Sequence, residues 1–430
     1  MPVYTGEPKF FRPAVSRKLY NGKRALMLHN LAPNGSLKYF FKTLSNNRTE
    51  HSDGSTPDTL VNSLGISDFD TYTSPKFSNA ENCISEVYGT GVMSVKGYDR
   101  EIFIAASGVA KATVDEGYRP YIFGWSLYRK DVYYDQDNEV RLELFALNAD
   151  SEGKMTQEPL TALTRTIPFR GKPYIISTAV GDFDGDKYNN EVAVMINTKN
   201  DIQLFVYRLN YSDGKLTLRS LTKKSENEPD GLQVYSTNLW ANYLEEQPVT
   251  DMAAGDFDGD GKDEIAVLYK MPQRSDAQNI KDERGWRDGP MVGDVNCRVY
   301  QWNANKGYFD TAETAQSYTQ TDVTNGTWDE FPQATVGGVI GLRAAAADLD
   351  GDGKSEIVTL LLGYYHRKAW DSKIKAYKLR RDDFYAYPHL AVWTFNRGST
   401  KPIHDSHVKG GGEGGQYRYN WGKLYDMSDN

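Results

Sequence analysis

Apolar residues in this chain come in short β-branched and aromatic runs, separated by clusters of Gly, Asn and Asp. That pattern predicts many short strands joined by tight turns. One kind of run is almost wholly apolar, as in Ile265-Ala266-Val267 and Ile357-Val358-Thr359-Leu360-Leu361-Leu362, and predicts strands buried on both faces. A second kind is a hairpin. Residues 204–210 pass through Gly214 into 215–218, 298–302 through Gly307 into 308–309, and 144–148 through Gly153 into 154–155. Residues 25–30 with 35–40 read as an outer hairpin with no acidic loop before it, so the chain is expected to start within a blade.

Between a run of small residues (Ala253-Ala254, Ala344 to Ala347) and each apolar strand stands an acidic loop. The copies are Gly181-Asp182-Phe183-Asp184-Gly185-Asp186, Gly255-Asp256-Phe257-Asp258-Gly259-Asp260-Gly261 and Asp348-Leu349-Asp350-Gly351-Asp352-Gly353. A weaker copy, Gly97 to Ile104, keeps the Glu and the strand but has lost the acids. The Glu before the strand recurs as Glu101, Glu191, Glu264 and Glu356, a spacing of about 70 to 90 residues that indicates stacked supersecondary units. Strand, loop, apolar strand and outer hairpin make four strands per unit. Four-stranded sheets repeated radially make a β-propeller. The fold class is therefore all-β: a β-propeller of four-stranded blades with acidic loops, read as one domain over 1–430. Its blades fall near 25–45, 91–156, 180–218, 253–310 and 345–395, with 396–430 a Gly-rich tail or closing segment. A further blade near 390–395 and a ring completed by a larger protein both remain open. A β-sandwich with decorated loops explains less, because the same loop returns at the same strand junction.

The loops carry the clearest chemistry. With Asp256 at position one, Asp258 and Asp260 stand at three and five, Gly261 at the turn, the Lys262 carbonyl at seven and Glu264 at nine. The third loop repeats this with Asp348, Asp350, Asp352, Lys354 and Glu356. Alternating acids on a tight loop converge hard oxygen ligands on one point, which suits Ca²⁺. An EF-hand needs a bidentate Glu at position twelve, where these loops have Val267 and Thr359 inside strand-like runs. The first loop departs from the pattern. Lys187 replaces the turn glycine, and one extra residue leaves Asn190 or Glu191 at nine, after Asp182, Asp184, Asp186 and Tyr188. Two to three Ca²⁺ ions are expected, with none at the degenerate copy.

These loops, each leading into a β-branched strand, resemble the FG-GAP/VCBS repeat, the blade unit of integrin α-subunit propellers and many bacterial surface proteins. The likeness is carried by 182–194, 256–267 and 348–358, extends loosely over 25–395, and is silent on the last thirty residues. The resemblance implies a calcium-stabilised propeller, extracellular and used for binding. It names no ligand.

Composition narrows the function classes. The net charge of −8 and dispersed basic residues give no nucleic-acid footprint. No run of about twenty apolar residues predicts a membrane-spanning helix, and no export signal is legible at the N-terminus. The 2 cysteines, Cys83 and Cys297, exclude a disulfide framework. Sites filled at near-millimolar Ca²⁺ favour a secreted or surface-attached protein.

A binding or adhesion module for a glycan or an extracellular protein is the favoured function. Trp286, in the polar stretch 271–294, and Tyr364, Tyr365, His366 and Trp370, in 363–371, are its candidate contacts, read as insertions on the rigid scaffold. Two alternatives stand beside it. One is a propeller polysaccharide lyase with His366, Arg367 and Lys368 as candidate bases, and the other is a structural spacer. The His404-Asp405-Ser406-His407 cluster reads as a polar loop, and no nucleophile elbow is present.

Overall fold

The computed structural model describes residues 14–19, 24–31, 37–44, 70–75, 83–120, 126–134, 139–149, 155–169, 173–198, 201–225, 229–236, 249–270, 295–311, 318–320, 335–371, 376–396 and 399–407. Among these, regular structure is β apart from one 3-10 turn at Thr161–Leu163. No helix among the described residues is long and apolar enough to cross a membrane.

Antiparallel sheets follow one another along the chain. The first holds β1 (Ala14–Val15), β2 (Arg24–Leu31), β3 (Leu37–Leu44) and β4 (Asp70–Thr73) in that order. The second is built from β5 (Cys83–Met93), β6 (Ile102–Pro120), β7 (Ser126–Tyr134), β8 (Glu139–Ala149), β9 (Met155–Pro159) and β10 (Arg165–Pro168). Its path is β10-β8-β6-β5, with β7 on β6 and β9 on β8. The third runs β11 (Pro173–Gly181), β12 (Glu191–Thr198), β13 (Asp201–Ser212) and β14 (Lys215–Ser220), with β15 (Leu232–Ser236) on β13. The fourth runs β16 (Val249–Gly255), β17 (Glu264–Lys270), β18 (Val295–Asn303) and β19 (Tyr308–Thr311), with β20 (Tyr318–Gln320) on β18. The fifth runs β21 (Thr335–Ala347), β22 (Glu356–Asp371), β23 (Ala376–Asn396) and β24 (Ser399–His407). Strands adjacent in sequence are mostly adjacent in a sheet, which is the meander of a propeller blade.

The apolar strands lie second in their sheets, as their composition requires. Every residue of β12 is buried, and so are Glu264 to Tyr269 of β17. The predicted hairpins form at β2–β3, β8–β9, β13–β14 and β18–β19.

Four expectations are corrected. The first blade does not begin at an outer hairpin, because the two-residue β1 pairs with β2 through Ala14–Met27 and Val15–Leu26. Residues 363–371 are no insertion. They continue β22, with 363–367 paired to β21 and the run paired to β23 on either side of a register shift at His366/Lys368. Residues 390–395 belong to β23 rather than to a further blade, and the His404-Asp405-Ser406-His407 run is no loop but the end of β24, hydrogen-bonded to β23.

The chain divides into two compact units. The first comprises Met1–Val180, Tyr188–Lys199 and Leu204–Ser220, the second Gly181–Lys187, Asn200–Gln203 and Leu221–Asn430. The first unit has an aliphatic core that includes Ile102, Ile104, Leu142, Val194, Ile196 and Leu209, and an aromatic one around Tyr39, Phe41, Phe103 and Phe145. In the second, Phe183 meets Phe309 edge-on at 5.4 Å, and Phe257, Val267, Leu268 and Val299 are buried.

Cys297 on β18 is free and buried, and burial pushes its thiol up to about 12. The thiolate is the nucleophile, so native Cys297 is expected to resist iodoacetamide at pH 8 and to react fully once urea unfolds the chain, read by peptide mass spectrometry. The sign for stability follows. The unfolded thiol ionises near its ordinary value of about 8.5 while the folded one keeps its proton, so this residue's contribution falls as pH rises above about 8.5 and levels off near 12. A Cys297→Ala variant should therefore lose stability less steeply between pH 9 and 11.

Candidate metal loops

Each acidic loop joins the first and second strands of its blade, and its own carboxylates fold it. Asp256 Oδ1 accepts the N–H groups of Gly259 (2.7 Å) and Asp260 (3.1 Å), and its Oδ2 accepts that of Gly261 (2.9 Å). In the fifth blade Asp348 takes the N–H groups of Gly351 (2.7 Å) and Gly353 (3.1 Å). Position three then accepts from five: Asp258 from Asp260 at 3.0 Å, and Asp350 from Asp352 at 3.1 Å. Position five accepts from seven: Asp260 from Lys262 at 2.9 Å, and Asp352 from Lys354 at 2.8 Å. Such side-chain-to-backbone bonds turn the chain locally. The turn needs a left-handed residue at position six, supplied by Gly261 (φ 85°) and Gly353 (φ 89°).

The Glu at position nine closes the loop from beneath. Glu264 and Glu356 are both 3% exposed. One oxygen of each accepts the N–H of position two, from Phe257 and Leu349 respectively, both at 2.8 Å. Burial pushes the Glu264 carboxyl up to about 8, with Asp258, Asp260 and Asp256 adding to the rise and the Phe257 N–H opposing it. Glu356 is raised by the same causes. Carboxylate oxygens of Asp256, Asp258 and Asp260 lie within 4.8 Å of one another, and so do those of Asp348, Asp350 and Glu356.

A buried carboxyl among three other acids is satisfied by a proton or by a cation. Every donor here is an oxygen, the ligand type of Ca²⁺. The residues fit that ion. Asp256, Asp258, Asp260, the Lys262 carbonyl and Glu264 could hold one. Asp348, Asp350, Asp352, the Lys354 carbonyl and Glu356 could hold another. In the fourth-blade loop the Lys262 ammonium already pairs with Asp260 Oδ2 at 2.8 Å.

The first loop is divided between the two units. In the second unit, Asp182 accepts the N–H groups of Gly185 (2.9 Å) and Lys187 (2.7 Å), and Asp184 that of Asp186 (3.2 Å), repeating the fold of the other loops. In the first unit, buried Glu191 is paired with Arg208 Nε at 2.7 Å. In its hydrogen-bonding orientation the Asn190 amide donates to Glu191 and to the Tyr188 carbonyl. No motif marks the Arg208 partner, which lies seventeen residues on in the next strand.

Lys187 stands where the other loops have glycine and still adopts φ 71°. A side chain there costs about 1–2 kcal/mol, partly offset by the backbone entropy a glycine loses. Lys187→Gly is expected to raise stability by about 0.5–1 kcal/mol in urea denaturation.

A further contact repeats between successive loops. The Asp263 N–H donates to the Asp182 carbonyl (2.8 Å), and the Ser355 N–H to the Asp256 carbonyl (2.6 Å). Asp263 also accepts the Asp182 N–H at 2.9 Å. Position eight of one loop thus clasps position one of the preceding loop. The blades approach so closely here that a Cβ on Gly255 would lie 2.8 Å from that of Ser355. A small polar residue just before the Glu, Asp263 in one loop and Ser355 in the next, is the sequence signal for this clasp.

Of the candidate ligand contacts, Trp286 lies outside the described residues. Tyr364, Tyr365 and His366 sit on β22 opposite Gly338, Gly337 and Val336 of β21, and Trp370 opposite Tyr377 of β23. Arg367 and Lys368 lie on the same strand.

No family model and no curated protein sequence matches the chain. Solved structures similar to it include a Synechocystis apocarotenoid oxygenase mutant (TM-score 0.29, 8% identity, 84% of this chain and 59% of that one). A glycoside hydrolase family 43 arabinoxylan arabinofuranohydrolase from Bacillus subtilis aligns with TM-score 0.26 and 12% identity over 81% of this chain and 60% of that one. A Microbacterium saccharophilum β-fructofuranosidase mutant aligns with TM-score 0.28 and 9% identity over 92% of this chain and 58% of that one. The chain thus spans about three fifths of the length of these structures.

Proposed function

We propose that this chain is a calcium-stabilised, propeller-type binding module that works outside the cytoplasm and holds a glycan or an extracellular protein. The observation that carries the reading is the same loop built twice, in the fourth and fifth blades, each with three aspartates folded onto backbone N–H groups and a buried Glu beneath them. The resemblance of these loops to FG-GAP/VCBS repeats supports it. Ca²⁺ would supply the positive charge that the acids lack and pin the first two strands of each blade. Its part is structural, and recognition falls to the surface the blades present.

The test is a screen of the full chain against immobilised acidic and neutral glycans and matrix proteins, in millimolar Ca²⁺ and in chelator. Retention that needs Ca²⁺, with no new sugar ends in the supernatant, is the expected result. Release of unsaturated ends would replace the binding module with a lyase. Stable folding with neither retention nor product would leave a spacer.

A further inference from the structure

Away from the acidic loops, the first unit holds an open pocket of about 280 Å³ where the first strands of three successive blades end. Ala14 and Val15 come from β1, Thr90 and Gly91 from β5, and Val180 from β11, with Arg17 just beyond β1. Val15 is 42% exposed, which is high for an aliphatic residue on a strand.

The wall is fixed by close packing. A Cβ on Gly91 would lie 2.7 Å from Val180 Cγ2, so these two strands leave no gap between them. Thr178 Oγ1 donates to the Thr90 carbonyl at 2.8 Å and ties β11 to β5 at the same level.

Arg17 is held by its backbone, and its guanidinium meets an amide rather than a carboxylate. Its N–H and that of Lys18 donate to the Glu101 carboxylate at 3.0 and 3.1 Å. The Arg24 guanidinium donates to the carbonyls of Ser16 and Arg17. The Arg17 guanidinium itself, exposed, meets the Asn189 amide oxygen in that group's hydrogen-bonding orientation. No carboxylate among the described residues pairs with it, whereas Arg100 has Glu158 and Arg208 has Glu191.

A mostly polar pocket with Val15, Val92 and Val180 in its lining, and one guanidinium without a carboxylate partner among the described residues, suits an organic carboxylate, because the planar fork of Arg matches a carboxylate with two parallel hydrogen bonds. A single cation matches a single negative charge better than a doubly charged phosphate. The volume sits at the low end of small-molecule sites, about 300–1,000 Å³, which limits the ligand to roughly one ring. We propose that this pocket binds a small monocarboxylate about the size of one sugar acid, with its carboxylate on Arg17 and its body against Val15 and Val180.

The test is titration of the full chain with glucuronate, glucose and inorganic phosphate, followed by ligand-observed NMR. Glucuronate is expected to bind saturably and more tightly than either of the others. Arg17→Met should weaken glucuronate at least tenfold, Arg17→Lys less, and Val15→Trp should block the pocket. The Arg17 side chain is exposed, so Arg17→Met should keep the wild-type thermal midpoint. If Val15→Trp does not fold, the two Arg17 variants still decide. Absence of glucuronate binding, equal binding by Arg17→Met, or phosphate binding as tightly as glucuronate would each overturn the proposal.

Discussion

Replacing Asp256 by alanine is expected to destabilise the second unit by about 4 kcal/mol in millimolar Ca²⁺. Two losses add. The carboxylate accepts N–H groups from Gly259, Asp260 and Gly261, which organise the whole turn. In a half-exposed loop these bonds are screened, and together they amount to about 1–2 kcal/mol. The second loss is the bound ion, which stabilises the folded state by about 2.7 kcal/mol when free Ca²⁺ is a hundred times its dissociation constant. Asp256→Asn separates the two. Its single amide oxygen can still accept the Gly259 and Asp260 N–H groups, but its NH2 cannot accept that of Gly261, and it brings no charge. In chelator Asp256→Asn should lie within about 1 kcal/mol of the wild type, and in Ca²⁺ it should fall short by about 2–3 kcal/mol. Urea denaturation in both buffers checks this. Equal stability of wild type and Asp256→Asn in the two buffers would mean that the loop is only an acidic turn.

The second large effect is expected one residue further on. Phe257→Ala should cost about 3–5 kcal/mol, the usual range for emptying a buried aromatic site. Leu349→Ala, at the same position of the next loop, should cost less than about 1 kcal/mol. Burial decides the difference: Phe257 is 1% exposed and Leu349 41%. Both residues donate their backbone N–H to the Glu at position nine, and neither substitution removes that bond. The contrast therefore isolates packing. Urea midpoints of the two variants, with unchanged slopes, are the measurement. Equal costs would show that position two acts through the loop rather than through the core.

What could be read from the amino-acid order was whatever repeats at short range. Asp256, Asp258 and Asp260 are spaced so that each carboxylate meets a backbone N–H two to five residues on, and that geometry is local. The all-β architecture and the outer hairpins were legible for the same reason, since Gly214 and Gly307 turn at φ 72° and 73° between paired runs. What escaped was decided at long range or by partners with no motif. The strand β1 has two residues, too few for any alternation to show. The run from Gly363 to Asp371 mixes Gly, Tyr, His and Lys and reads as a surface insertion, yet β21 gives ladder partners to its first half and β23 to both halves. The run from His404 to His407 reads as a polar tail until β23 pairs with it. Arg208 on Glu191, and Arg17 at its pocket, depend on which strands the fold brings together.

The most direct test of the calcium reading is isothermal titration of the chelator-stripped full chain with Ca²⁺, repeated on Asp256→Ala and Asp348→Ala. The expected result is saturable binding of at least two ions at up to millimolar concentration, with one site lost in each variant and the other retained. A folded wild-type chain that takes up no Ca²⁺ at millimolar concentration, or variants that bind as many ions as the wild type, would contradict it.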